Sequence, residues 1–151
     1  MTCAEPGPWR GETLRLPAWL SRLVVSDKRR IIIVGAGGWI GKTALMLLHN
    51  ALGQETAAAR VSCFGSTSRT IEIAPGVNFE QRPLSTLDAL DCRPTLLLHL
   101  AFLTMDKIQE MEKAEYVRRN RALSEVVHDA LDLIGVDRLF VASSGAAAFA
   151  D

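Results

Sequence analysis

Four glycines within seven residues, Gly35, Gly37, Gly38 and Gly41, make the part of this chain best suited to chemistry. They end an apolar run, Ile31 to Val34, in the stretch IIIVGAGGWIGKT. β-Branched residues favour a buried strand, and glycines clear away the side chains that would hold an anion off the backbone N–H groups of a turn leading into a helix. The chemistry such a turn performs is phosphate binding. Two loops can be read from the same letters. Gly35, Gly38 and Gly41 spell G-x-x-G-x-x-G, a relative of the dinucleotide fingerprint, while Ala36, Gly41, Lys42 and Thr43 spell a relaxed Walker A with alanine in place of its first glycine.

Residues elsewhere separate the two. A P-loop enzyme holds its Mg²⁺ partly through an acid at the end of another core strand. The candidate strands, Thr95 to Ala101 (TLLLHLA) and Arg138 to Ala142 (RLFVA), offer none, and His99 stands where an aspartate is wanted. The dinucleotide reading looks instead to the end of the second strand, where an acid binds ribose hydroxyls and a basic or small polar set accepts a 2′-phosphate. That end is Gly65-Ser66-Thr67-Ser68-Arg69, with no acid before Glu72, so Ser66 and Arg69 favour NADP over NAD. The competing reading of Arg69 is a solvated loop arginine. His49, His99 and His128 lack neighbours at ligand spacing, so no metal site is expected.

The elements that must position these residues follow from the pattern around them. The first 17 residues are rich in proline and glycine, and Ala18 to Val25 has room for two helical turns. Residues 1–29 therefore read as a partly irregular extension, with Asp27-Lys28-Arg29-Arg30 as a solvated lead into the first strand and a basic patch as the less favoured reading of its Lys-Arg cluster. Residues 30–151 read as one domain. Trp39 to Leu52 has helical periodicity closed by Gly53, and Arg60 to Gly65 is a second strand. Thr70 to Ile73 and Val77 to Arg82 are extended around Pro75-Gly76, their pairing left open, and Leu84 to Leu90 is a brief helix. Thr95 to Ala101 is apolar enough for a central strand, Asp106 to Ile134 is a long helix, and Arg138 to Ala142 is a last strand. Alternating strands and helices predict an α/β fold, a Rossmann-like doubly wound parallel sheet of five to six strands with helices on both faces. Ligands of such sheets lie at the carboxyl ends of the strands.

Composition excludes several functions. Seventeen basic and seventeen acidic residues cancel, so no long-range field draws the molecule to nucleic acid or to an anionic membrane. No apolar run approaches the roughly 20 residues of a membrane span, and no signal-peptide core opens the chain. Cys3, Cys63 and Cys92 are odd in number and widely spaced, which fits a reducing, cytoplasmic setting.

Four motifs in order carry a resemblance. Gly35-Ala36-Gly37-Gly38-Trp39-Ile40-Gly41 resembles the turn of the extended short-chain dehydrogenase/reductase superfamily, in its NAD-dependent epimerase/dehydratase group. Leu98-His99-Leu100-Ala101 is similar to that family's fourth strand, Tyr116 to Asn120 to its Tyr-x-x-x-Asn helix, and Phe140 to Ser144 to its fifth strand with paired serines. The resemblance implies that Gly35, Gly38, Trp39 and Ile40 line a pyrophosphate, that Ser66 and Arg69 face the adenosine end, and that Leu100 and Ala101 flank the cofactor. Asn120 becomes a structural or water-holding residue. Ser144, or less favourably Ser143, becomes the serine that bonds a substrate hydroxyl or carbonyl; the plain alternative for the pair is a turn or cap after a strand.

Two departures limit what the resemblance implies. The family's third strand usually ends in an aspartate that reaches adenine, and here Arg82-Pro83-Leu84 stands there, leaving Leu84 a backbone contact. The family's catalytic Tyr-x-x-x-Lys pair follows the serines, whereas the only tyrosine, Tyr116, precedes them and is followed four residues later by Asn120. The expectation is a truncated dehydrogenase that binds a dinucleotide, and whose complete relatives act on sugar-nucleotide-type substrates. A non-catalytic nucleotide-sensing or partner-binding module is the alternative, and a P-loop NTPase is third. An unpaired sheet edge with an exposed apolar face predicts self-association.

Overall fold

The computed structural model describes residues 14–103 and 111–142. In chain order the elements are α1 (Ala18–Ser26), β1 (Arg30–Val34), α2 (Trp39–Leu52), α3 (Gln54–Arg60), β2 (Val61–Gly65), β3 (Arg69–Ala74), β4 (Val77–Pro83), a 3₁₀ helix (Leu84–Ala89), β5 (Thr95–His99), α4 (Lys113–Ala130) and β6 (Val136–Val141). The six strands form one sheet in the order β3-β4-β2-β1-β5-β6. Five of them run parallel, as the alternation of strands and helices predicts.

The pairing that the sequence left open is a hairpin: β3 runs antiparallel to β4, and Ala74 pairs Val77 across the Pro75-Gly76 turn. Gly76 sits there at a φ of 76°, a left-handed conformation that a side chain would strain. So short a connection has no length for a crossover, and reversal is the only pairing open to it.

Strand β1 explains how the sheet is covered. All five of its residues are buried, and the four apolar ones alternate between two cores. Ile31 and Ile33 join Leu45, Ala57, Cys63 and Ile71 under α2 and α3, while Ile32 and Val34 join Phe64, Leu87, Leu97, Val127 and Ala130 under α4. Burial on both faces is why this strand reads as an unbroken apolar run, and each such side chain contributes roughly 1.5–3 kcal/mol. Leu123, Val127, Ala130 and Ile134 recur at helical spacing and set the face that α4 and its following turn present to the sheet.

Two features stand at the sheet's margins, the first a departure from expectation. Arg30, read from sequence as part of a solvated lead, is 2% exposed. Its guanidinium donates to Thr95 Oγ1 at 3.1 Å, to the Asp91 carboxylate and carbonyl at 3.0 Å, and to the Ile134 carbonyl at 2.8 Å, tying β1 to β5 and to the turn after α4. A buried charge needs that full set of acceptors. At the far edge, β6 leaves Leu139, Phe140 and Val141 between 44% and 54% exposed, the apolar edge the sequence anticipates. Among the described residues no helix is long and apolar enough to cross a membrane.

Candidate dinucleotide site at the sheet's switch point

The parallel sheet grows outward from β1 in two directions, to β2 on one side and β5 on the other. The connection to β2 runs through α2 and α3 over one face, and α4 covers the other face beside β5. Between the carboxyl ends of β1 and β5 the chain therefore parts, leaving the crevice in which open α/β sheets take their ligands. Three of the predicted segments meet there.

Gly35 leaves β1 at a φ of 89°, and its N–H donates to the Phe64 carbonyl at 2.8 Å. A Cβ at position 35 would lie 2.8 Å from the Ala101 nitrogen and 2.9 Å from the Leu100 carbonyl carbon. Glycine is required here on two counts, backbone conformation and the approach of the β5 loop. The Leu100 N–H donates to the Val34 carbonyl at 2.8 Å, so Leu100 and Ala101 are held directly against the glycine turn. The turn closes through the Gly38 N–H on the Gly35 carbonyl at 3.1 Å, and the first bond of α2 runs from the Lys42 N–H to the Gly38 carbonyl. The N–H groups of Trp39, Ile40 and Gly41 precede that bond and have no intrahelical acceptor. A Cβ on Gly41 would collide with the Gly35 carbonyl and with Ala36, so the helix can start close to β1 only because residue 41 is glycine.

The second strand end reaches the same place. The Arg69 guanidinium lies against Gly37, in the space that a Cβ there would fill. Arg69 takes part in no ion pair among the described residues, so a cation stands over the glycine turn without a carboxylate. Ser66 is exposed on the turn between β2 and β3. That turn is braced by Gln81, a residue the sequence reading did not single out: it is 3% exposed, its Nε2 donates to the Thr67 carbonyl at 2.7 Å, and it packs where a Cβ of Gly65 would be. The available signal was a polar residue at an inward position of β4, between Phe79 and Leu84.

Other predicted residues divide by exposure. Trp39 is 81% exposed and Ile40 45%, so both stand open at the start of α2, whereas Leu84 is buried in the α4-side core and has only its backbone to offer. Lys42 is exposed in the first turn of α2, and the Thr43 hydroxyl donates to the Trp39 carbonyl at 2.9 Å. Ser143 and Ser144 lie outside the described residues.

The floor beyond Ala101 is held from α4. Asn120 accepts the Leu103 N–H at 2.8 Å through Oδ1, which gives the helix asparagine a structural role. His99 is 2% exposed, stacks on Phe102 with ring centroids 5.1 Å apart, and places Nε2 3.5 Å from the Ser124 hydroxyl. Burial pushes its pKa down by disfavouring the charged imidazolium. Burial likewise pushes the Cys63 thiol up to about 12, which leaves it unreactive beneath α2.

The donor set suits an anionic, elongated ligand: N–H groups without an intrahelical acceptor at a helix start, a close-approach surface made by Gly35 and Gly41, and a guanidinium over Gly37 with no ion pair among the described residues. No side-chain carboxylate stands among Gly35–Ile40, Ser66–Arg69 and Leu100–Ala101 to repel a pyrophosphate. The family model for the NAD dependent epimerase/dehydratase family matches residues 31–151, and the chain belongs to that family. No curated protein and no solved structure matches the chain.

Proposed function

We propose that this epimerase/dehydratase-family chain binds NADP(H) in preference to NAD(H), with its pyrophosphate on Gly35, Gly37, Gly38, Trp39 and Ile40. The observation that carries the reading is Arg69 lying against Gly37 with no carboxylate partner among the described residues. A guanidinium fork there matches a 2′-phosphate, and Ser66 on the same turn adds a hydroxyl. Leu84 contributes through its backbone, and Leu100 and Ala101 flank the ligand. When bound, the dinucleotide would supply a hydride donor or acceptor; the chain's own residues orient it and exclude water from one side.

In this reading the chain alone binds without turning over. Tyr116 has Asn120 where a lysine is needed to lower its pKa, and Asn120 is already engaged by the Leu103 N–H. Ser144 is assigned the bond to a substrate hydroxyl or carbonyl, and the substrate class is a sugar nucleotide or similar alcohol. The apolar β6 edge is where self-association is proposed to occur, with sedimentation at rising concentration as its check.

Calorimetric titration with NADPH, NADH and Mg²⁺-ATP tests the assignment. NADPH is expected to bind tightest, and Arg69→Ala to weaken NADPH by about tenfold while leaving NADH unchanged. Binding of ATP with neither dinucleotide refutes the site, and an Arg69→Ala protein that keeps its NADPH preference refutes the cofactor choice.

A further inference from the structure

At the opposite end of the same three central strands the chain collects cations. Lys28, Arg29 and Arg30 lead into β1, Arg60 precedes β2, and Arg93 stands two residues before β5. These five side chains, with Ala59 and Pro94, line a cavity of about 240 Å³ that contains no acidic residue in its wall.

Part of this charge has a structural purpose. Arg60 donates to the Arg29 carbonyl at 3.0 and 3.2 Å and to the Val24 carbonyl at 3.1 Å, and Lys28 donates to the Val25 carbonyl at 3.1 Å. Cations at the carbonyl ends of α1 and α3 are favoured there. Carbonyls satisfy donors without cancelling charge, however. Two carboxylates form ion pairs with the set: Asp27 with Arg29, and Asp91 with both Arg30 and Arg93. Asp137 acts on Arg29 from farther away. Asp91 is 68% exposed and only 3.5 Å from the Arg93 Nε, a geometry worth little in water. Arg60 and Lys28 pair with no carboxylate among the described residues. A chain with no net charge thus concentrates uncompensated positive charge around one small hollow.

We infer that this hollow, walled by Lys28, Arg29, Arg30, Arg60 and Arg93, binds a small multiply charged oxyanion of the phosphate class, separately from the dinucleotide crevice. The volume falls below the roughly 300–1,000 Å³ of sites for drug-sized ligands, which selects a small anion over a nucleotide. Lys28 and Arg93 keep N–H donors beyond the bonds named above, while the engaged guanidinium groups contribute charge, and a divalent or more highly charged anion answers the excess of cations better than chloride.

The test titrates inorganic pyrophosphate into the intact chain at constant ionic strength, read by backbone amide NMR. Gly38→Asp blocks the crevice, while the double variant Lys28→Ala/Arg93→Ala removes two exposed cations that hold no core contact. Saturable amide shifts at residues 28–30, 60 and 93 are expected in wild type and in Gly38→Asp alike, with affinity in the double variant weaker by about tenfold or more. Equal affinity in the double variant, shifts confined to Gly35–Gly41, or no saturable binding in Gly38→Asp overturns the inference.

Discussion

The two ends of strands β2, β1 and β5 are built from opposite materials. At their carboxyl ends the chain strips side chains away, with Gly35 meeting Ala101 and Gly41 meeting Ala36, so that backbone N–H groups are what a ligand finds. At their amino ends it adds long cations, and Arg30 and Arg60 are tied down by carbonyls. The difference teaches how a parallel sheet assigns its ends. Helices α2 and α4 begin on the carboxyl side and turn their N–H ends to it, whereas α3 finishes on the amino side with the cation Arg60 in its last turn, donating to the Val24 and Arg29 carbonyls. An extended anion that must touch backbone belongs to the glycine end; a compact one that needs only charge fits the arginine end.

The largest break in this comparison comes from the arginine end. Replacing Arg30 by Met leaves the Thr95 hydroxyl and the Asp91 and Ile134 carbonyls without their donor, and is expected to lower stability by about 3 kcal/mol in denaturant unfolding. Dinucleotide affinity should be unchanged in the protein that remains folded. A loss below about 1 kcal/mol would mean that water replaces the guanidinium and that this end is less dry than its burial indicates.

Gly38→Asp separates fold from function at the glycine end. Position 38 has a φ of −74°, caps α2, and a Cβ there would meet only the Gly35 carbonyl at 3.4 Å, while aspartate is a favoured N-cap. The variant should therefore keep or slightly gain stability, yet lose about a hundredfold in dinucleotide affinity because a carboxylate faces the pyrophosphate. Loss of both stability and binding would remove the distinction.

The smallest effect sharpens the electrostatic side. The guanidinium and backbone N–H of Arg29 hold the Asp27 carboxyl below its usual 3.8, at about 2. The folded state binds the proton less readily than the unfolded one, so this stabilisation is complete above about pH 4 and disappears as pH falls through about 2. Asp27→Asn should cost about 1 kcal/mol at neutral pH, allowing for partial exposure, with the gap to wild type closing near pH 2. A gap independent of pH would show that the hydrogen bonds, and not the charge, matter.

Much of the glycine end was legible because its signals are local. Ile31 to Val34 announces a doubly buried strand, Gly35 to Gly41 a close-approach turn, and Gly53 a helix stop, and each depends on neighbours in sequence. The order of Leu98-His99-Leu100-Ala101 after them located the second wall. What stayed hidden depends on partners far along the chain. Nothing in Lys28-Arg29-Arg30 separates a solvated arginine from one buried against Ile134, 104 residues away. Gln81 braces Thr67 across the hairpin, and the reversal at Gly76 that enables it was left open by two equally extended segments. The cation hollow is likewise a product of register: three strand beginnings are brought side by side only by the parallel pairing of β2, β1 and β5.

The central claim is that the dinucleotide lies at the glycine end, on the turn that Arg69 overhangs. Backbone amide NMR of the intact chain titrated with NADPH tests it most directly. The account predicts saturable shifts at Gly35–Ile40, Ser66–Arg69 and Leu100–Ala101, with residues 28–30, 60 and 93 unmoved. Shifts at the arginine end with a silent glycine turn, or no saturable response to NADPH or NADH, would contradict it.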